Sequence, residues 1–270
     1  MEHDLAELEE ELFRTSWLLK VRRRAIASWI GTLRDDARCL CVGAIPRALQ
    51  EPLISLGGQW DFVASGDDPI PGGEGVYDQV LILDELEWIA DDYGFIESCH
   101  KRLKPAGVLL VDTAHDKRWT LWRPLRRLLG VEERPASRAR DGYSEAGLFD
   151  LLKDGYDVQR VRTYSRCVTE GVETMVRLAI GAFLGRADAD DPEERLRAHR
   201  GLCLVQTIAY PFFAVANILD HAFFFTRGYR IMALARRRLW KPRRAPILRD
   251  GRTLADATLN TKIGTATQFH

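Results

Sequence analysis

Two side chains of this sequence, His115 and Tyr143, are candidates for a role in chemistry beside predicted elements. His115 comes shortly after the apolar run Val108–Val111, where an imidazole could act as a general base toward an oxygen or nitrogen nucleophile. Tyr143 stands just before a predicted helix and could line a substrate pocket. Each also has a plainer interpretation, which is an exposed loop histidine for His115 and a packing role for Tyr143.

The segment that would position His115 has the pattern strand, helix, strand. Val80–Leu83 and Val108–Val111 are short continuous apolar runs, as expected for strands that are covered on both faces of a parallel sheet. Between them, apolar residues recur at helical spacing from Ile89 to Leu103. Two such strands around one helix form a right-handed crossover unit.

The same alternation occurs on both sides of this unit. Strands are predicted at Arg38–Gly43 and Trp60–Ser65, with a helix from Arg47 to about Leu56 between them. Ser144 is a plausible helix cap, and the chain then turns into a strand that ends at about Tyr164. We therefore predict an α/β fold, a Rossmann-like doubly wound and mostly parallel sheet with helices on both faces.

The crossover unit also carries a family resemblance. The matching residues are Asp78, Leu86-Glu87, Arg102 to Pro105, and Gly107, and with them the chain resembles class I S-adenosylmethionine-dependent methyltransferases over residues 20–167. Trp88 stands where that family usually has His, and Ala106 where it usually has the first Gly of its turn. The resemblance implies a Rossmann-like fold and S-adenosylmethionine as cofactor.

The resemblance also implies a set of cofactor-binding residues. In the family, the first strand ends in a glycine-rich turn whose backbone approaches the methionine part of the cofactor, and a side chain there would fill the ligand's space. Carboxylates that follow the later strands complete the site. In this sequence Gly43 is the retained glycine, with Ala44 beside it, and Asp84, Glu85 and Glu87 follow the strand Val80–Leu83. The residue after the second strand could be Asp67 or Asp68, and Ser65 is equally well placed.

The glycine-rich turn departs from the family pattern. Cys41 replaces the acidic residue, Ile45 and Arg47 replace glycines, and Pro46 removes a backbone donor. Two interpretations follow. Either the cofactor binds in a rearranged turn, because the carboxyl edge of such a sheet is its usual ligand site, or the fold persists as a catalytically inactive binding or scaffold protein.

Composition narrows the other possibilities. The 270 residues include 39 basic and 39 acidic side chains, so the formal net charge is zero and no global field favours nucleic acid. The five cysteines are scattered without the spacing of a zinc site, which indicates a reducing compartment and no metal. The acidic N-terminus does not resemble a secretory signal, so we expect a cytoplasmic protein.

The C-terminal third has a different composition. Leu202–Leu219 is strongly apolar, although Pro211 and two amides argue against a simple transmembrane helix. Seven Arg and one Lys follow within residues 227–244. We expect a helical, partly apolar appendage that contacts an anionic membrane through residues 202–244. The alternative is a helical lid or a dimer surface, so a homo-oligomer is possible.

These observations predict four regions and one activity. The regions are an N-terminal helical segment (1–34), the methyltransferase-like domain (35–167), the amphipathic appendage (168–241) and a flexible tail (242–270). The expected activity is S-adenosylmethionine-dependent methyl transfer to a small-molecule or lipid-linked acceptor. It would take place at the cytoplasmic face of the membrane, with the protein bound peripherally and without nucleic acid.

Overall fold

The computed structural model describes residues 16–43, 45, 47–65, 70–116, 122, 139–184, 192–222 and 226–240. Six strands lie in this part of the chain: β1 (Arg38–Val42), β2 (Gln59–Val63), β3 (Tyr77–Leu83), β4 (Leu103–Ala114), β5 (Tyr156–Tyr164) and β6 (Arg230–Arg237). The helices are α1 (Trp17–Ile30), α2 (Arg47–Ile54), α3 (Asp92–Arg102), α4 (Glu145–Leu152), α5 (Cys167–Leu184) and α6 (Pro192–Ala222).

The six strands form one mixed sheet in the order β2-β1-β3-β4-β6-β5. Strands β2, β1, β3 and β4 are parallel, whereas β6 runs antiparallel to both of its neighbours. The predicted Rossmann-like, mostly parallel α/β fold is therefore confirmed.

Helices cover both faces of the sheet, as predicted. On one face, α3 and α4 contribute Ile96 and Leu148 to a core with Val80 and Val111. On the other face, Ile26 of α1 packs with α2 and with strand residues of β1, β3, β4 and β6. Since alternate residues of a strand face opposite sides, the continuous apolar run of β3 is buried by both layers.

Strand β6 was not predicted from the sequence. We expected residues 227–244 to be a basic surface for lipid, but Arg230–Arg237 lies between β4 and β5 inside the sheet. Its Ile231, Ala233 and Ala235 are buried in the core. Because β6 belongs to the sheet, residues 202–244 do not form one continuous membrane-contacting segment, and that part of the expectation is wrong.

Helices α5 and α6 form a hairpin that is inserted between β5 and β6. Asp220, near the end of α6, accepts hydrogen bonds from the backbone N–H groups of Arg166 and Val168, each at 2.9 Å, at the start of α5. Such capping satisfies helix donors that would otherwise be unpaired. Helix α6 also contacts α1, since the Trp17 ring stacks on Phe213 at 6.2 Å between centroids.

Candidate functional site

The carboxyl ends of the parallel strands meet at one edge of the sheet. The chain passes from β1 to β2 on one side and then returns to β3 on the other, so the strand order reverses between β1 and β3. Ligands of open α/β sheets bind in the crevice at such a switch point. Gly43 follows β1 and Asp84 follows β3, so these two predicted site residues flank the crevice.

Gly43 allows the end of β1 to lie against β3. Its φ is +133°, and a Cβ added to it would be 2.1 Å from the carbonyl oxygen of Leu83. Its N–H donates to the Val63 carbonyl of β2 at 2.9 Å. Only glycine fits here, so the retained glycine of the family motif is required by the backbone itself. The adjacent Ala44 lies outside the described residues.

Ile45, one of the departures from the family turn, is partly buried against the core. It packs against the apolar cluster beneath α1 and α2, which includes Leu49 and Leu83. Its carbonyl oxygen accepts a hydrogen bond from Gln50 at 2.8 Å. The Ile45 side chain is therefore engaged in the core, whereas Pro46 lies outside the described residues.

Asp84 is held in a left-handed turn by two arginines. Its φ is +57°, which is uncommon for a residue with a Cβ. Arg22 of α1 donates to its carboxylate at 2.5 Å, and Arg230 of β6 makes a second ion pair with it. Desolvation alone would raise the pKa of Asp84, but Arg230 and Arg22 outweigh it and lower the pKa to about 2.

The same arginines also bind Asp112, which is fully buried in β4. Arg22 contacts its carboxylate, Arg230 lies 3.0 Å from it, and Tyr164 donates to it at 2.9 Å. We call Arg22, Asp84, Asp112 and Arg230 the edge ion cluster. Its two positive and two negative charges balance, which is the condition under which charges are tolerated in a protein interior.

Three of these four residues, Arg22, Asp112 and Arg230, were not predicted to belong to the site. Asp112 could have been predicted, since it directly follows the apolar run of β4. No local sequence pattern indicates Arg22 or Arg230, because they meet Asp84 only when α1 and β6 pack against the sheet.

Glu85 makes a hydrogen bond across the end of β1. Its carboxylate is buried and accepts from the Ser65 hydroxyl at 3.0 Å. Ser65 follows β2, and β1 lies between β2 and β3. The Glu85–Ser65 pair therefore links the two sides of the crevice. Asp67, the other predicted carboxylate of this region, lies outside the described residues.

His115 is buried at the end of β4 rather than exposed in a loop. Its Nδ1 lies 2.7 Å from the carbonyl oxygen of Gly228, so this nitrogen is the donor. Its backbone N–H donates to the Tyr229 carbonyl at 2.8 Å. These bonds hold the chain before β6 against the end of β4.

Tyr143 is tied to the start of α3. Its hydroxyl donates to Asp92 at 2.7 Å and also contacts Arg140. Burial and the Asp92 carboxylate raise the pKa of Tyr143 well above its ordinary value. At neutral pH its hydroxyl is protonated, so Tyr143 is a hydrogen-bond donor and not a base.

The α5–α6 hairpin presents an apolar surface. We call the outward residues of α6 the α6 stripe, and they are Leu204, Ile208, Phe212, Val215, Ile218 and Leu219, all at least 46% exposed. Residues Cys203–Ala222 are long and apolar enough to cross a membrane by length and composition, with a mean hydropathy of 1.4 and 22% of the apolar window buried.

The protein itself engages part of the basic stretch at residues 227–244. Arg230 belongs to the edge ion cluster, and both Arg237 and Arg238 donate to backbone carbonyls.

Within the part of the chain that the structure describes, no group of three or more His, Cys, Asp or Glu residues could hold a metal ion. The buried Cys39 and Cys99 are inert thiols, because burial raises the pKa of each to about 12.

No protein-family model matches the sequence, and no curated protein matches it. The structure is similar to coclaurine N-methyltransferase bound to N-methylheliamine and S-adenosylhomocysteine, with 14% identity over 81% of this chain and 72% of that chain and a TM-score of 0.48. A S-adenosylmethionine-dependent methyltransferase from Archaeoglobus fulgidus has 11% identity over 81% of this chain and 94% of that chain, with a TM-score of 0.47. A [4+2]-cyclase, SpnF, has 15% identity over 80% of each chain and a TM-score of 0.42.

The chain's similarity to these structures is one of fold, and it carries no information about substrate or activity.

Proposed function

We propose that the protein binds S-adenosylmethionine in the crevice between β1 and β3 and transfers its methyl group to an acceptor at the same edge. The observation that carries this proposal is the placement of Gly43 and the accessible Asp84 carboxylate on the two sides of the switch point. Gly43 has no side chain to occupy the crevice, and Ile45 is engaged in the core.

The residues at this edge fit the cofactor's polar groups. Asp84 can accept from the ammonium group of the methionine part, since its side chain is 45% exposed. Arg22 is only 12% exposed and already pairs with Asp84 and Asp112, so it balances these carboxylates and does not itself reach the cofactor. Glu85 is buried and accepts from Ser65, so it could accept from the ribose hydroxyls only by exchanging that bond. The cofactor, when bound, supplies an electrophilic methyl group on its sulfonium sulfur.

The protein's own contribution to such a reaction is alignment. Methyl transfer requires the nucleophile, the methyl carbon and the sulfur to be collinear, so a general base is optional. Tyr143 is excluded as a base by its raised pKa. His115 is assigned the role of holding the edge of the site through its bond to Gly228.

The test is a calorimetric titration with S-adenosylhomocysteine. Asp84→Asn should weaken binding by about tenfold or more, because a charge-assisted hydrogen bond is lost. Asp150→Asn, an exposed change on α4, should bind like the unaltered protein. Melting curves of both variants show whether they are folded. Absence of binding at millimolar ligand by the folded, unaltered protein would refute the proposal.

A catalytically inactive binding protein is the second candidate. The observation that favours it is that the polar groups at the edge already have partners within the protein. Glu85 accepts from Ser65, and the edge ion cluster balances its own charges. The same titration distinguishes the two functions, since a scaffold protein has no need of the cofactor.

We further propose that the α6 stripe contacts the inner face of the cytoplasmic membrane and that the acceptor is a small molecule or a lipid-linked compound. The Thr207 hydroxyl on the outer side of α6 is satisfied within the helix, since it donates to the Cys203 carbonyl at 2.8 Å. Lys20 lies 4.4 Å from the centre of the Tyr210 ring and provides a cation beside the helix. A helix with these features lies well in a bilayer interface.

Co-sedimentation with anionic vesicles tests this contact. Phe212→Ser should reduce binding because Phe212 is 62% exposed on the stripe. Phe149→Ser, an equally large change at an exposed residue of α4, is the matched control. Equal binding of the two variants would contradict the membrane contact.

A further inference from the structure

An apolar groove lies between α5, α6 and Trp122. Its volume is about 550 Å³, and its principal lining residues are Trp122, Val172, Met175, Val176, Ile208 and Phe212. None of these carries a charge, so the groove offers no counter-charge to a polar ligand. It belongs to the hairpin and not to the crevice between β1 and β3.

Trp122 is fixed against α5 by two features of the chain. Its indole Nε1 donates to the Cys167 carbonyl at 2.8 Å, so its one polar atom is satisfied within the protein. A Cβ on Gly171 would lie only 2.4 Å from the Trp122 ring, so a larger residue there would displace the indole. The ring is therefore held as a fixed apolar wall of the groove.

The groove runs from the edge of the sheet outward along the hairpin. On α5 its lining extends from Cys167 to Ala179, which corresponds to about 18 Å at the rise of an α-helix. Cys167 comes three residues after Tyr164, whose hydroxyl donates to Asp112 of the edge ion cluster. One end of the groove thus lies at the carboxyl edge of the sheet, on the side of β5.

The side of the groove opens beside the α6 stripe. Ile208 and Phe212 belong to both surfaces, and they are 58% and 62% exposed. Met175 on α5 is 56% exposed at the same opening. An apolar chain could therefore pass from the stripe into the groove without crossing a polar surface.

We propose that this groove binds the alkyl chain of an amphiphilic methyl acceptor whose polar head reaches the carboxyl edge of the sheet. An open apolar groove of this length can accommodate an extended chain, and its continuity with the α6 stripe provides entry from a lipid surface. The inference rests on the proposed function in one respect, namely that the head of the bound amphiphile is what becomes methylated.

Binding of alkylphosphocholines of increasing chain length, measured by calorimetry below their micelle concentrations, tests the groove. Affinity should rise by about threefold to fourfold with each added methylene, which is the gain expected for burial of one CH₂ group. The rise should end when the chain exceeds the groove's length of about 18 Å. Affinity that does not depend on chain length would overturn the proposal.

Variants at Met175 locate the binding site. Met175→Lys places a charge in the groove and should weaken binding by about tenfold or more, whereas Met175→Leu should keep it. Phe149→Lys, at an exposed residue of α4, is the matched control and should bind normally. Because Met175 is more than half exposed, the substitution should leave the fold intact, which circular dichroism verifies. Equal affinities of the two lysine variants would refute the groove as the site.

Two further measurements separate this inference from its alternatives. If the alkyl probes bind in the groove but S-adenosylhomocysteine does not bind, the chain site stands and the methyltransferase proposal fails. If the cofactor product binds and the probes do not, the acceptor has no chain in this groove, and the present inference fails alone. Sedimentation could instead show a dimer that Met175→Lys dissociates. If the probes also do not bind, the occupant of the groove is a second copy of the protein and not an alkyl chain.

Discussion

Removal of Arg230 should destabilise the whole fold and not only the site. Its guanidinium contacts Asp84 and the fully buried Asp112, and it lies at the start of β6 in the interior of the sheet. In Arg230→Met the side-chain length is retained while the charge is lost. Asp112 then remains buried with Arg22 and Tyr164 as its partners.

The expected loss is about 3 kcal/mol in the free energy of unfolding near neutral pH. Breaking a buried ion pair by removing one partner costs about 3–5 kcal/mol, because an uncompensated charge stays in the interior. The lower end applies here, since Arg22 still balances one of the two carboxylates. Most of this loss is the desolvation of Asp112, which cannot move to water.

The pH dependence gives a second signature. Asp84 has a pKa of about 2 in the folded protein, whereas about 3.9 is usual in an unfolded chain. Its contribution to stability is therefore present above about pH 4 and is lost as the pH falls toward 2. In Arg230→Met the folded pKa of Asp84 moves back toward its usual value. The stability difference between the two proteins should then narrow as the pH is lowered.

Urea denaturation followed by circular dichroism at several pH values measures both effects. Arg227→Met is the matched control, because Arg227 is an exposed arginine three residues before Arg230. It should change the free energy of unfolding by less than about 0.5 kcal/mol. A loss below about 1 kcal/mol in Arg230→Met would show that the edge ion cluster is not buried as described.

Three further changes have definite expected outcomes. Ala106→Gly should stabilise the protein by up to about 1 kcal/mol in a urea titration, because Ala106 has a φ of +61°. The comparison variant Ala146→Gly, on the exposed face of α4, should instead lower the stability by about 1 kcal/mol. Cys41→Asp, which introduces the acidic residue that methyltransferases resembling this chain have at that position, should destabilise the protein by about 3–5 kcal/mol in thermal melts, since Cys41 is fully buried. Tyr143→Phe should cost about 1 kcal/mol of stability while leaving the pH profile of any methyl transfer unchanged, because its hydroxyl donates only to Asp92 and its neighbours.

The parallel part of the sheet could be predicted from the sequence because its strands are buried on both faces. The run Val80–Leu83 has no polar residue, and β3 extends from Tyr77 to Leu83 around it. The predicted cap Ser144 accepts a hydrogen bond from the Gly147 N–H at 3.0 Å, so the start of α4 was also correct. Signals of this kind depend on residues that are close in sequence.

Strand β6 could not be predicted for the same reason. Its apolar part, Ile231–Ala235, is short, contains two alanines and is enclosed by arginines, a pattern that also fits a basic surface segment. Arg230 is accommodated in the sheet because it forms ion pairs with Asp84 and Asp112, which lie at the ends of two strands that are distant from it in sequence. Likewise, nothing local to Arg22 indicates that its partner is 62 residues away.

The position of β6 has a consequence for how the chain is made. Within the described residues, strand β5 is joined to the rest of the sheet only through β6, and 65 residues separate Tyr164 from Arg230. A ribosome that adds about 5–20 residues per second needs several seconds to cover that distance. Throughout this interval β4 has an open edge, and the apolar hairpin α5–α6 emerges before the sheet is complete. The nascent chain should therefore depend on a chaperone or on early membrane contact at this stage of its synthesis.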